Sequence, residues 1–336
     1  QNPRMPALLP TPDPDGLLEY SVVYTDRALN HMSASFQGVM KDLSKSLKSV
    51  YNAHTVAIVP GSGTYGMESV ARQFATGKHV MVLRNGWFSY RWTQIFDAGK
   101  IPSSCTVMKA KRVGSGDTAP FAPPALEEVI ATIKRERPAA VFAPHVETSA
   151  GIILPDAYIK AVADATHEAG GLFVLDCIAS GCIWIDMKAM GVDALISAPQ
   201  KGWTGPACCA MVMLSEKGAA AATSSKSSSF TIDLGMWVKV MATYEAGKHM
   251  YHATMPTDAL RTFRDVVKES EAYGIDKLKQ QQQQLGSELR QLLHGKYGFK
   301  SVAAPGFQAP GVVVAYTSDA SFKSGAAFMA EGVQIA

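Results

Sequence analysis

The sequence predicts an α/β fold: a mostly parallel sheet covered by helices on both faces, with a smaller domain towards the C-terminal end. Short apolar runs of strand length alternate with segments of helical period between Thr55 and Leu214. A glycine-rich turn joins the first of these runs to the helix that follows it. The length of 336 residues exceeds what one hydrophobic core usually fills, so a second, smaller unit is expected.

The elements follow in order. Residues 1–16 contain five prolines and one glycine and read as an arm. Within 24–51, Phe36, Val39, Met40, Leu43, Leu47 and Val50 share a helical face, with Ser33 or Ser35 as its cap. Residues 55–59 read as a buried strand. They run into Gly61-Ser-Gly-Thr-Tyr-Gly66 and a helix with Met67, Val70, Ala71 and Phe74 on its inner face, stopped by Gly77. Strands are expected at 79–83, 139–143 and 172–175, and helices at 91–98, 126–135 and 157–169. The runs 192–196 and 207–214 have no helix-length segment between them, which predicts an antiparallel pair. After Leu214 the pattern changes. Residues 219–229 are small and polar and read as a loop or lid, and 257–293 as a long helical region in which Gln280–Gln284 form a solvated face. Residues 311–316 read as a strand. The domain expectation is an arm at 1–20, a large domain at 21–255 and a small domain at 256–336. Residues 331–336 read as the start of a strand, so the small domain is expected to continue past residue 336.

Composition narrows the function classes. With 47% hydrophobic and 18% charged residues, this is the composition of an ordinary globular protein. A net charge of +3 supplies no electrostatic case for nucleic acid or a membrane surface. No apolar run approaches the ~20 residues a membrane helix requires. Cys105, Cys177, Cys182, Cys208 and Cys209 lack metal-ligand spacing, and four of them sit in or beside apolar runs. That suits reduced thiols and a cytoplasmic location.

Three positions carry the chemistry. The Gly61–Gly66 turn offers backbone amides at a helix start, with the Ser62 and Thr64 hydroxyls beside them, a cradle for phosphate. A dinucleotide site would want an acid about 20 positions on, where the sequence has Leu83-Arg84-Asn85. A single phosphate fits as well, and an NADP site using Arg84 stays open. Asp176 ends a buried strand, where open α/β sheets bind ligands. Lys201 lies about 25 residues further on in the polar turn Ser197-Ala-Pro-Gln-Lys-Gly-Trp-Thr204. Read alone it is a surface lysine. Desolvated in a ligand site, it becomes a nucleophile or a base. A phosphate turn, a carboxylate able to hold a pyridine nitrogen protonated, and a lysine able to form a Schiff base are together the wiring of a pyridoxal phosphate (PLP) site.

With those residues in view, the sequence resembles the class V aminotransferases of PLP-dependent fold type I, and within them the alanine–glyoxylate and serine–glyoxylate group. Gly61-Ser-Gly-Thr64 is similar to the family's phosphate turn. Asn85-Gly-Trp-Phe-Ser-Tyr-Arg91 is similar to the segment that stacks an aromatic ring on the cofactor, with Phe88 in register. His145-Val-Glu-Thr-Ser-Ala-Gly151 is similar to H-x-E-[ST]-S-x-G, which implies Thr148 on the cofactor's phenolic oxygen. Asp176-Cys-Ile-Ala-Ser180 implies Asp176 on the ring nitrogen and Ile178 beneath the ring. Ser197-Ala-Pro-Gln-Lys201 implies Gln200 on the phosphate and Lys201 as the Schiff-base lysine. Tyr251-His-Ala-Thr-Met-Pro256 is similar to a segment that reaches the phosphate of a neighbouring subunit.

The resemblance implies a seven-stranded sheet in the large domain, an α+β small domain and a homodimer with shared sites. The substrates it implies are a small amino acid and a 2-oxo acid. Cofactor-binding residues are then Ser62, Gly63, Thr64, Phe88, Thr148, Asp176, Ile178, Gln200, Lys201, Tyr251 and Thr254, with Lys201 and Asp176 catalytic. The family opens with a glycine–proline element where this chain has Thr11-Pro-Asp-Pro-Asp-Gly16, and the segment 18–27 has no clear counterpart in it. The family's substrate-carboxylate arginine is expected beyond residue 336. Rival readings are a PLP-dependent lyase on the same scaffold and an NADP-dependent oxidoreductase. A cysteine desulfurase would need a cysteine after Cys209, and there is none.

Overall fold

The computed structural model describes residues 29–335, so the proline-rich arm and the segment 18–27 lie outside the described residues. Helix α1 (Ala34–Tyr51) leads into β1 (Thr55–Pro60), α2 (Gly63–Phe74), β2 (His79–Arg84), α3 (Trp87–Gly99), β3 (Ser104–Lys109) and the short strands β4 (Lys111–Arg112) and β5 (Phe121–Ala122). Next come α4 (Leu126–Glu136), β6 (Ala140–Pro144), the short pair β7 (Val146–Glu147) and β8 (Ile152–Ile153), α5 (Asp156–Glu168) and β9 (Leu172–Asp176). They are followed by α6 (Met187–Met190), β10 (Ala194–Ser197) and β11 (Cys209–Leu214). The rest is largely helical: α7 (Glu216–Ser224), α8 (Leu234–Glu245), α9 (Thr257–Tyr273), α10 (Ile275–Arg290), a π-helical turn (Gln291–Lys296), α11 (Ala320–Lys323) and α12 (Ala326–Ala330).

Seven strands form one sheet in the order β1-β11-β10-β9-β6-β2-β3. The pairs from β10 to β3 are parallel, and β11 runs antiparallel to both its neighbours. Helices cover both faces, so every residue of β6, β9, β10 and β11 is buried. That is why these segments read as unbroken apolar runs. The carboxyl ends of β2, β6, β9 and β10 open on one side, which places Asn85, His145, Asp176 and Ala198 along a common crevice. At the other end of α1, the Ser33 hydroxyl accepts the Phe36 amide at 3.0 Å, so Ser33 is the cap.

Several expectations are corrected. Residues 219–229 are not a loop throughout: α7 is capped by Ser215, whose hydroxyl accepts the Gly218 amide, and continues through a run of alanines, the strongest helix former. The long helical region is divided at Gly274, which has φ +110°, a conformation that side-chain-bearing residues avoid. Residues 311–316 form no strand. Their one β contact is an isolated bridge between Ser301 and Ala315, and a lone extended segment without a ladder partner is not a strand. Residues 331–335 are likewise not a strand. Strand β3 and helix α8 were not anticipated. All five cysteines are free.

Helix α2 lies so close to the sheet that a Cβ at Gly66 would penetrate the Ala210 methyl group and sit 3.2 Å from Ile196 Cγ2. Gly66→Ala is therefore expected to destabilise the chain by about 1–3 kcal/mol through overpacking. Urea unfolding should show a lower midpoint at unchanged slope; an unchanged midpoint would mean that α2 can lift from the sheet without cost.

Candidate active site

The crevice is built from backbone turns that press on one another. Gly63, the first residue of α2, is buried, and a Cβ there would lie 2.6 Å from Ile178 Cδ1 and 3.4 Å from Ala198 Cβ. The phosphate-type turn, the loop after Asp176 and the start of the Lys201 turn thus meet at one point. The Ser62 side chain makes no capping bond to α2, and the Thr64 hydroxyl accepts from Arg91 Nη1 at 3.1 Å. Together these place free helix-start amides and a guanidinium in one cradle, an arrangement that favours an anion.

Asp176 is 8% exposed. Its Oδ1 accepts the Ile178 amide at 3.0 Å. Burial raises its pKa to about 6, and Glu147 adds to the rise, while the Ile178 amide and the Arg91 charge oppose it. A carboxylate so placed gains from any N–H⁺ that enters the crevice. His145, at the end of β6, donates its backbone amide to the Asp176 carbonyl at 2.8 Å. Its ring, 2.7 Å from Ser180 Oγ through Nδ1, is wholly buried, and desolvation lowers its pKa to about 3. His145 is therefore a neutral strut between the ends of two strands.

Phe88 stands at the start of α3, 39% exposed, with Arg91 Cζ 5.3 Å from its ring centroid. What holds this helix start is Glu147. Its buried carboxylate accepts the Phe88 amide at 3.1 Å, the Ser89 amide at 2.9 Å and the Ser89 hydroxyl at 2.6 Å. It also accepts the Ser149 amide at 3.2 Å and the Ser149 hydroxyl at 2.7 Å. A charge-assisted cap of this kind satisfies the free amides of α3 and fixes Thr148, between Glu147 and Ser149, relative to Phe88.

Gln200 and Lys201 are exposed in the turn after β10, so the desolvation expected of Lys201 is not supplied by this chain alone. The turn itself is firmly made: the Thr204 amide donates to the Lys201 carbonyl at 3.1 Å and the Gly205 amide to the Pro199 carbonyl at 2.8 Å. Trp203 anchors it. The indole is 1% exposed, donates to the Tyr51 hydroxyl at 3.2 Å, and lies 5.0 Å from the Trp184 ring.

Five of the six sequence segments are thus joined by direct contacts. The sixth is not. Tyr251 is 62% exposed, lies 3.4 Å from Thr254 through their hydroxyls, and packs against the His31 ring at 5.6 Å. With Thr254 it lines a separate cavity of about 240 Å³ that also includes Leu29 and Met255. Sequence reasoning missed Arg91, Glu147 and Trp203 as site-building residues. Arg91 follows Phe88 by one helical turn, and Glu147 is an acid beside an apolar strand end. Both are signals, since unpaired charges are not tolerated in such places.

Comparison with known proteins gives a consistent picture. The family model described as Aminotransferase class-V matches residues 16–335. A soluble hydrogenase small subunit of Synechococcus sp. is 26% identical over 279 residues, covering 82% of this chain and 68% of that protein. Alanine–glyoxylate aminotransferase 1 of Saccharomyces cerevisiae is 25% identical over 266 residues, covering 74% of this chain and 66% of that protein. The chain thus spans about two-thirds of the length of these relatives. The solved ureidoglycine–glyoxylate aminotransferase of Bacillus subtilis superposes with a TM-score of 0.78 at 21% identity, covering 92% of this chain and 78% of that one; at this identity the likeness bears on the fold.

The Asp176 geometry sets a pH dependence for the cofactor-free chain. A carboxyl raised from 3.8 to about 6 binds more protons folded than unfolded, so its penalty is absent below pH 4 and complete above pH 6. For a shift of this size the penalty is on the order of 2–3 kcal/mol. Asp176→Asn removes the charge while keeping the shape. Its Tm should exceed that of the wild type at pH 7.5, with the difference closing as pH falls through 6 and gone near pH 4. A difference independent of pH would contradict the assignment.

Proposed function

The chain belongs to the class V aminotransferases, a family whose cofactor is PLP, and from that premise we propose that it moves an amino group from a small amino acid to a 2-oxo acid. Alanine, serine or a similar donor and glyoxylate or pyruvate as acceptor are the substrates that fit the resemblance. The observation that carries the reading is Asp176, a buried carboxylate with one backbone amide donor and a raised pKa, at the strand end where the family pattern puts a pyridine nitrogen. A protonated ring nitrogen is the partner that such a group lacks. The tight contact of Gly63 with Ile178 supports the same fit, because it brings the phosphate cradle and the residue assigned beneath the ring side by side.

On this reading the α2 amides, Ser62, Thr64 and Gln200 hold the phosphate. Ile178 and Phe88 enclose the ring, and Thr148 bonds its phenolic oxygen. When bound, the cofactor supplies an aldehyde that takes up the amino group and a ring that withdraws electrons from the substrate Cα. Asp176 keeps the ring nitrogen protonated, which sustains that withdrawal. Lys201 would tether the cofactor, and its Nζ, once freed by substrate, would take the proton from the substrate Cα as base and deliver it as acid to the cofactor carbon that carried the aldehyde. Arg91, hydrogen-bonded to Thr64, adds positive charge where the phosphate sits.

Tyr251 and Thr254 are assigned to the phosphate of a partner copy. Their exposure and their distance from the other segments' contacts support a homodimer in which each chain completes its neighbour's pocket. Burial by that partner and by the cofactor would also cover Lys201.

Two measurements test the reading. The wild type with PLP should show a visible absorbance band that borohydride bleaches, and Lys201→Ala should lose it. Incubation of a panel of amino donors with glyoxylate should yield a keto acid and glycine without free ammonia. Stoichiometric ammonia release without glycine would favour a lyase and overturn the transaminase assignment.

A further inference from the structure

The glutamine run on α10 is not uniformly a solvated face. Gln280, Gln281, Gln283 and Gln284 are exposed, but Gln282 is half-buried. Its Oε1 accepts the Cys182 amide at 2.7 Å, and its Nε2 lies 3.5 Å from the Ser180 carbonyl oxygen. The carboxamide lies between two glycines. A Cβ on Gly181, which has φ +60°, would be 2.5 Å from Gln282 Oε1, and a Cβ on Gly311 would be 2.5 Å from Gln282 Nε2. Any larger residue at either place would displace the amide.

The turn that Gln282 grips is the one on which the lysine turn rests. Gly202, next to Lys201, abuts the Gly181 carbonyl so closely that a Cβ there would penetrate it. The Cys182 thiol also donates to the Gly202 carbonyl at 3.6 Å. On its other side the same turn is tied to the Asp176 strand through Ser180 and His145. One side chain from outside the sheet therefore clamps the backbone that separates the two groups assigned to catalysis.

We propose that Gln282 is a positioning residue for Lys201: its carboxamide fixes the Gly181 turn, and through the Gly181–Gly202 backbone contact it sets where Lys201 stands relative to Asp176. The proposal rests on the assignment of Lys201 given above. The Gln282 carboxamide meets the backbone of the Gly181 turn and of Gly311, so its effect is on placement. The Cys182 amide bond carries most of the hold, since the Ser180 contact is long. An isosteric acceptor should then suffice where an apolar residue does not.

The test compares wild type, Gln282→Met, which keeps length but loses the acceptor, and Gln282→Glu, which keeps it. In the cofactor-free protein, Gln282→Met should speed hydrogen exchange about three- to tenfold at the Cys182, Thr204 and Gly205 amides, the effect of losing one modest hydrogen bond. With PLP bound, Gln282→Met should lower kcat with little change in KM and move the pH at which the lysine-linked absorbance titrates. Gln282→Glu should restore all three. Should Gln282→Met fail to fold, Gln282→Asn, too short to reach the Cys182 amide, carries the same expectations. Faster exchange confined to Cys182, with Thr204, Gly205, kcat and the titration unmoved, overturns the proposal and leaves the transaminase reading standing. A wild type without a borohydride-sensitive band removes both.

Discussion

A carboxylate held in the dry end of a parallel sheet is the constraint around which this site is arranged. Asp176 is largely removed from water and has a single backbone amide donor, which leaves its charge poorly satisfied. Its neighbours are accordingly polar in a disciplined way. His145 is neutral and braces the loop through Ser180, Arg91 contributes charge from a distance, and Glu147 is saturated by donors from the start of α3. The Arg91 charge partly offsets the cost of ionising Asp176, while the Glu147 charge adds to it. The result is a crevice in which the unmet electrostatic demand is at the carboxylate that the family pattern assigns to a ring nitrogen.

The second constraint is close backbone approach. The motifs come from distant parts of the chain, and they meet because glycines let the main chain come within side-chain distance. Gly63 admits Ile178, and Gly202 rests on the Gly181 turn. Placement of Lys201 is thus inherited from a stack of turns, with Trp203 anchoring one end in the aromatic cluster and Gln282 gripping the other. For a lysine acting as the base proposed above, such preorganisation matters, since small displacements of a base cost rate steeply.

How much of this could be read in the sequence follows from where each residue finds its partner. Strands buried on both faces, such as Leu172–Asp176, were legible because burial demands an unbroken apolar run. Edge strand Ser104–Lys109 was not, because none of its residues is fully buried and it therefore carries no unbroken apolar run. Residues 311–316 have strand composition, yet pairing decides strand formation, and their described neighbours offer a single bridge. The chemistry at strand ends was legible for the same reason the strands were: Asp176 and the Gly61–Gly66 turn sit at fixed offsets from apolar runs. Glu147 and Arg91 were legible only as charges in need of a partner, because those partners are remote in sequence, and Gln282 was not legible at all, since a glutamine inside a glutamine run carries no local mark of which one turns inward.

Everything above turns on whether Lys201 is the residue to which the cofactor is joined. Reconstituting the wild-type chain with PLP, reducing it with borohydride and mapping the pyridoxyl group by peptide mass spectrometry tests it directly. One modified lysine is expected, Lys201, within the turn after β10. A pyridoxyl group on any other lysine, or scattered over exposed lysines with Lys201 unmodified, would contradict it.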